Sequence, residues 1–181
     1  MKQVLLGITG SIAAYKAADI ASGLTGAGCA VHAVMTRAAT GFVTPLTLQA
    51  LTRNRVFVDT LQEDDPSEIV HVNLVQRCDV LLVAPATANH IGKIAHGIAD
   101  DMLTSMVLAA HGIPLLLAPA MNTHMYENVA VQENLATLRR RGWQVIEPKE
   151  ARLACGIVGK GALANTEAVV AAALAAMETR A

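Results

Sequence analysis

The stretch Leu115–Tyr126, LLLAPAMNTHMY, puts an apolar run of strand length directly before three polar side chains, Asn122, Thr123 and His124. An amide at the mouth of a sheet is an uncharged group that can orient a polar ligand. Two other stretches have the same form. GITGSIAAYK ends an apolar run at Gly7, Gly10 and Ser11 and continues into an Ala-rich segment. A helix starting there offers unpaired N–H groups and a favourable dipole to a phosphate, although a tight turn with a serine cap explains the same residues. In APATANHIGK, Thr87 and Asn89 could hold a heterocycle or a ribityl chain, or could cap the next helix.

Other chemistry-bearing residues are isolated. His71 opens HVNLVQRCD, where a histidine can act as a general base near neutral pH or be purely structural. Cys155 lies in RLACGIVGKGALAN, which reads as a mobile flap hinged at Gly156, Gly159 and Gly161, or as an ordinary surface loop. Asp100 and Asp101 are neighbours in sequence and therefore do not face each other on a helix, so a solvated turn or a helix cap is expected. No CxxC, HxxxH, HExxH, GxSxG or Walker loop occurs, and no metal site is expected.

The elements that position these groups alternate. KQVLLGIT, AVHAVMT, CDVLLVAP, GIPLLLAP and GWQVIEP read as strands. Helices are expected over Ser11–Ala27, His71–Arg77, Asn89–Ala95, Met102–Ala110, Glu127–Arg141 and Thr166–Met177. Strands apolar on both faces and separated by helices imply a mainly parallel α/β sheet. Ligands of such sheets sit beyond the carboxyl ends of the strands. Those ends, Thr9-Gly10-Ser11, Met35-Thr36, Ala84–Thr87 and Ala118–Asn122, are rich in small and hydroxyl-bearing residues.

Composition bounds the function. The chain has 181 residues, 53% hydrophobic, 16% charged and 3% aromatic, so its large core is built of aliphatic side chains. A net charge of -1 without a basic tract argues against nucleic-acid binding. Three dispersed cysteines and no signal-peptide pattern fit the cytoplasm, and no apolar run reaches the length of a membrane span.

GSIAAYK, MTRAATGFVTPL, HVNL, PATAN, PAMNTHMY and ACGIVGKGA occur in this order. Together they resemble the flavin-dependent cysteine decarboxylases. That family includes phosphopantothenoylcysteine decarboxylases of coenzyme A synthesis and lantibiotic-type peptidyl-cysteine decarboxylases. The resemblance implies one Rossmann-like (flavodoxin-like) three-layer domain over residues 1–181, with a substrate-covering flap near 150–165. It implies FMN and a homo-oligomer, a trimer or a tetramer of trimers, in which a neighbouring subunit completes each site. Matched motif to motif, Gly10, Ser11, Ile12, Thr36, Phe42, Thr87, Ala88 and Asn89 are the FMN candidates. His71, Asn122 and Cys155 are the catalytic candidates, as base, carboxylate holder and helper of a final reduction. Met125, Ala154 and Gly156 join Asn122 and Cys155 as substrate contacts. The reaction implied is oxidation of a cysteine side chain to a thioaldehyde, loss of carbon dioxide, and formation of an aminoethenethiol.

The branch is ambiguous. The coenzyme A branch resembles a pattern with a basic residue and a tryptophan after the histidine, where this chain has Gln76 and Arg77, and an aspartate where it has Ile157. These departures favour a peptide ending in cysteine. Cys155 favours phosphopantothenoylcysteine, which is kept as the alternative. A flavin prenyltransferase and a regulatory flavoprotein subunit are the remaining readings. The first lacks need of PAMN, and the second usually carries an acidic tail.

Overall fold

The five runs read as strands become the strands of a parallel sheet in the computed structural model, which describes residues 1–58, 69–154, 156 and 158–178. The strands are β1 (Gln3–Ile8), β2 (Ala30–Met35), β3 (Val80–Ala86), β4 (Leu115–Pro119) and the short β5 (Gln144–Val145). Their order is β2-β1-β3-β4-β5, all pairs parallel, with Val4 opposite both Val31 and Val80 and Leu116 opposite Gln144. This is the doubly wound order of the flavodoxin type, and its direction reverses between β1 and β3.

Side chains alternate across the sheet with period two. Val4, Leu6 and Ile8 enter one core with Ile20 and Leu24 of α1 (Ala17–Gly26) and Val169 and Ala173 of α8 (Thr166–Glu178). Leu5, Leu81 and Val83 enter the other. They meet Ile91 of α4 (Ala88–His96), Leu103 of α5 (Met102–Ala109) and Leu135 of α7 (Val129–Arg140) there. Both faces are buried, which explains why the strands read as unbroken apolar runs. The result is the expected three-layer α/β fold.

Several boundaries differ from expectation, each for a local reason. The single helix expected from Ser11 begins as a 3-10 turn over Ile12–Lys16, because the Ser11 hydroxyl caps the Ala13 N–H and starts it early and tight. The helix expected over Glu127–Arg141 is two, α6 (Thr123–Glu127) and α7, since the Asn128 side chain caps Ala130 and restarts the chain. A helix not expected, α2 (Pro45–Thr52), follows a Thr44 cap with proline in its first turn. The stretch near 150–165, expected as a flap or loop, overlaps an antiparallel hairpin of β6 (Lys149–Arg152) and β7 (Val158–Ala162). The eight residues of α3 (Val70–Arg77) pack against α5.

Asp101 caps α5 in a reciprocal box with Thr104 and meets the His90 ring at 2.8 Å. Burial pushes its carboxyl up, but the bonds from His90 and Thr104 outweigh that and hold it well below the usual carboxylate range. The acidic pair is thus a cap plus a partner for Lys93, which meets Asp100 at 2.7 Å. Among the described residues no helix is long and apolar enough to cross a membrane, and no three metal-ligating side chains cluster.

Candidate active site

The carboxyl ends of β1 and β3 are tied by one residue. Thr9 is fully buried; its hydroxyl donates to the Pro85 carbonyl at 2.8 Å and accepts from the Thr87 N–H at 2.9 Å. The Thr9 N–H also donates to the Pro85 carbonyl. Thr9 therefore fixes the switch point between the two strands. Replacing it by Val keeps the volume and strands the Thr87 N–H. Thr9→Val is expected to lower unfolding free energy by about 1–3 kcal/mol in urea titration. A change below about 0.5 kcal/mol, the range of a neutral surface substitution, would show that packing alone holds the mouth.

Beyond this tie lies a cavity of about 630 Å³, within the range of roughly 300–1,000 Å³ common for small-molecule sites. Its floor is the Gly10-Ser11 turn, its second wall the start of α4 at Thr87–Asn89, and its third the Met121-Asn122 turn with Met125. Arg152, Leu153 and Ala154 at the end of β6, with Gly161 and Ala162 of β7, close the remaining side. Two of the polar groups are partly committed to folding. Ser11 Oγ donates to the Ala120 carbonyl while capping Ala13, and Thr87 Oγ1 caps His90. Gly10 is required by fold as well as by ligand, because a Cβ there would lie 2.5 Å from that of Ala38.

Asn122 occupies the N-cap of α6, where its Oδ1 accepts from the His124 N–H at 2.9 Å. That bond orients the amide with its NH2 as the donor end, the polarity a carboxylate requires. The turn is braced from behind. The Gly161 carbonyl accepts from the Met121 N–H, and a Cβ on Gly161, at φ +150°, would lie 2.4 Å from the Met121 carbonyl. A Cβ on Gly159 would lie 2.7 Å from Thr123 Oγ1. These two glycines serve close approach of β7 to the Asn122 turn rather than hinging. Glu147 adds a second brace, accepting from Tyr126 Oη at 3.0 Å and Lys160 Nζ at 2.8 Å, and pairing with Arg139.

The cavity thus gathers Gly10, Ser11, Ile12, Thr87, Ala88, Asn89, Asn122, Met125 and Ala154 of the expected residues. Thr36 is buried and caps the turn at Ala39, Phe42 is half exposed, and Gly156 sits exposed in a turn; none of the three lines the cavity. His71, in the first turn of α3, does not line it either. Cys155 and Ile157 lie outside the described residues. The other two cysteines are buried core thiols, and burial followed by the Asp79 charge pushes Cys78 up to about 12. Neither is a candidate for proton or electron transfer. Sequence reasoning missed Thr9 as a tie, and passed over Lys16 and Arg152 on the cavity wall, although both stood inside quoted motifs.

A doubly wound sheet with a cavity at its switch point, walled by helix starts, neutral donors and the cations Lys16 and Arg152, defines a nucleotide-type cofactor-binding protein. The Flavoprotein family matches residues 1–178, and the chain belongs to it, among the flavin-dependent cysteine decarboxylases. A probable phosphopantothenoylcysteine decarboxylase of Streptococcus mutans is 48% identical over 93% of this chain and 95% of its own length. The coenzyme A biosynthesis bifunctional protein CoaBC of Bacillus subtilis is 51% identical over 93% of this chain, which spans only 41% of that larger protein. Among solved structures, a PPC decarboxylase variant complexed with pantothenoylaminoethenethiol superposes with a TM-score of 0.88 at 32% identity, 98% of each chain covered. SpaF, an FMN-dependent cysteine decarboxylase, superposes at 0.85 with 34% identity and the same coverage. The cofactor is a flavin, FMN in such neighbours, and the cavity's size and neutral donors fit it.

Proposed function

We propose that this protein decarboxylates phosphopantothenoylcysteine in coenzyme A synthesis, using FMN. The observation that carries the reading is the near-full-length identity of 48% to a probable phosphopantothenoylcysteine decarboxylase. The departures that favoured a peptide, at Gln76, Arg77 and Ile157, are three positions set against that near-full-length identity.

The Gly10-Ser11 turn and the Thr87–Asn89 helix start would hold FMN, which would supply reversible two-electron redox chemistry at the thiol-bearing carbon of the substrate. The chain supplies position and protons. Asn122 donates to the substrate carboxylate without the full charge of an arginine, which would stabilise the ground state that must be lost. His71 takes a proton from the substrate, and Cys155 gives one during the closing reduction. The hairpin carrying Ala154 and Gly156 covers the substrate.

Because His71 does not line the cavity of its own chain, we assign it to the site of a neighbouring copy in a trimer or a tetramer of trimers. Apolar side chains at the mouth support a covered rim. Ile12, Tyr15 and Met125 line the cavity, yet each is about half exposed or more in the single chain. Free buried Cys29 and Cys78 fit a cytoplasmic location.

The test gives one yellow preparation both phosphopantothenoylcysteine and a cysteine-terminated peptide, under air and anaerobically, with products weighed by mass. Oxygen-independent turnover of the first, losing carbon dioxide alone, is expected. Action on the peptide alone, losing carbon dioxide and two hydrogens, would reinstate peptide maturation.

A further inference from the structure

Among the described residues two cations, Lys16 and Arg152, line the cavity and no carboxylate does. Lys16, half-buried at the end of the 3-10 turn, and Arg152, at the end of β6, stand in its wall. No Asp or Glu lines the cavity, and neither Lys16 nor Arg152 forms an ion pair among the described residues. The third basic cavity group, His90, is closed off by its bond to Asp101. Elsewhere the pattern is different. Lys93 meets Asp100, and Arg139 and Lys160 meet Glu147. Two positive groups without counter-charge in one concave wall raise the local potential and favour an anionic ligand.

We infer that Lys16 and Arg152 receive the phosphate monoester of the substrate and set the enzyme's preference for a phosphorylated over a neutral pantothenoyl arm. The inference rests on the substrate reading above and extends it to the residues that read the far end of the molecule. The flavin also carries a phosphate monoester. The start of α4 at Thr87 offers that group N–H donors and a favourable dipole, and the Gly10-Ser11 turn offers close backbone approach; both are built from neutral residues. The cations come instead from elements beyond those starts: Lys16 from the turn's far end and Arg152 from the covering hairpin. The flavin is therefore given to the α4 start and the substrate phosphate to the hairpin side of the cavity. Arg152 then couples anion binding to placement of the adjoining Leu153 and Ala154, both of which line the cavity. This arrangement also accounts for a chain that lacks a cation at Gln76 and still resembles enzymes of a phosphorylated substrate.

The test compares holoenzyme carrying Lys16→Gln, Arg152→Gln or both with the wild type. Substrates are phosphopantothenoylcysteine and its dephosphorylated form, and flavin affinity is read separately by fluorescence with FMN and riboflavin. Each single change removes one charge-assisted contact, so KM for the phosphorylated compound is expected to rise about tenfold, and more in the double variant. The loss is confined to that compound and to KM, and the preference for FMN over riboflavin is retained. Added salt should weaken wild-type binding of the phosphorylated compound and affect the double variant little. Equal losses on both compounds would assign the two residues a structural role and overturn the inference. Loss of FMN preference would assign them to the flavin phosphate and overturn it likewise. Wild-type turnover without any preference for the phosphorylated compound overturns this inference alone. No wild-type turnover of either compound overturns the substrate reading, and this one with it.

Discussion

Asn122→Asp is expected to reduce kcat/KM about a thousandfold with no loss of thermal stability. The reasoning separates two roles of one side chain. As N-cap of α6 the residue accepts from the His124 N–H, and Asp fills an N-cap as well as Asn does. The fold and the Met121-Asn122 turn are therefore retained. As a ligand group, however, the amide is proposed to donate to the substrate carboxylate, and a carboxylate in its place would repel it. Two like charges about 4 Å apart at an effective dielectric near 20 cost about 4 kcal/mol, close to three powers of ten in rate. Steady-state kinetics beside a melting curve reads both roles at once. Turnover within about tenfold of wild type, less than one such power, would remove Asn122 from the carboxylate site.

His71→Asn is expected to lower turnover by a factor of about 10²–10⁴, the usual contribution of a positioned acid or base. Bound FMN should be unchanged, because the imidazole is assigned to proton transfer from the substrate and not to holding the flavin. The informative extension mixes two inactive chains. Co-expressed His71→Asn and Asn122→Asp chains should form mixed oligomers that regain activity. A site that combines one chain's wild-type histidine with another's wild-type amide is then intact. Oligomers shown by dual affinity tags to be mixed, yet no more active than either parent, would confine His71 to its own chain's chemistry and remove the shared site.

The sequence was most legible where one interaction acts over a short range. Apolar runs such as CDVLLVAP declare a buried strand, because a sheet covered on both faces needs apolar side chains at every position, and β3 is buried throughout. Helix starts at Thr87 and Asp101 were legible as caps, since capping joins residues three apart. The hairpin of β6 and β7 was not. Lys149–Arg152 carries charge and Val158–Ala162 carries glycine, so neither has the alternation that marks a strand. Their glycines make sense only against the Met121–Thr123 turn, nearly forty residues earlier in the chain.

By itself, then, the sequence determined the parallel α/β class, the strand ends that form the site, and the family likeness carried by six ordered motifs, all of them properties of short contiguous segments. Tertiary structure decided the rest. It made Thr9 the tie across the switch point, committed Ser11 and Thr87 partly to capping, and put His71 off the wall of its own cavity. It also brought Lys16 and Arg152 to one cavity from opposite ends of the chain. The physical reason is that charge and hydrogen-bonding capacity are legible residue by residue. Which group answers which is set only when packing of the two cores fixes where each element ends.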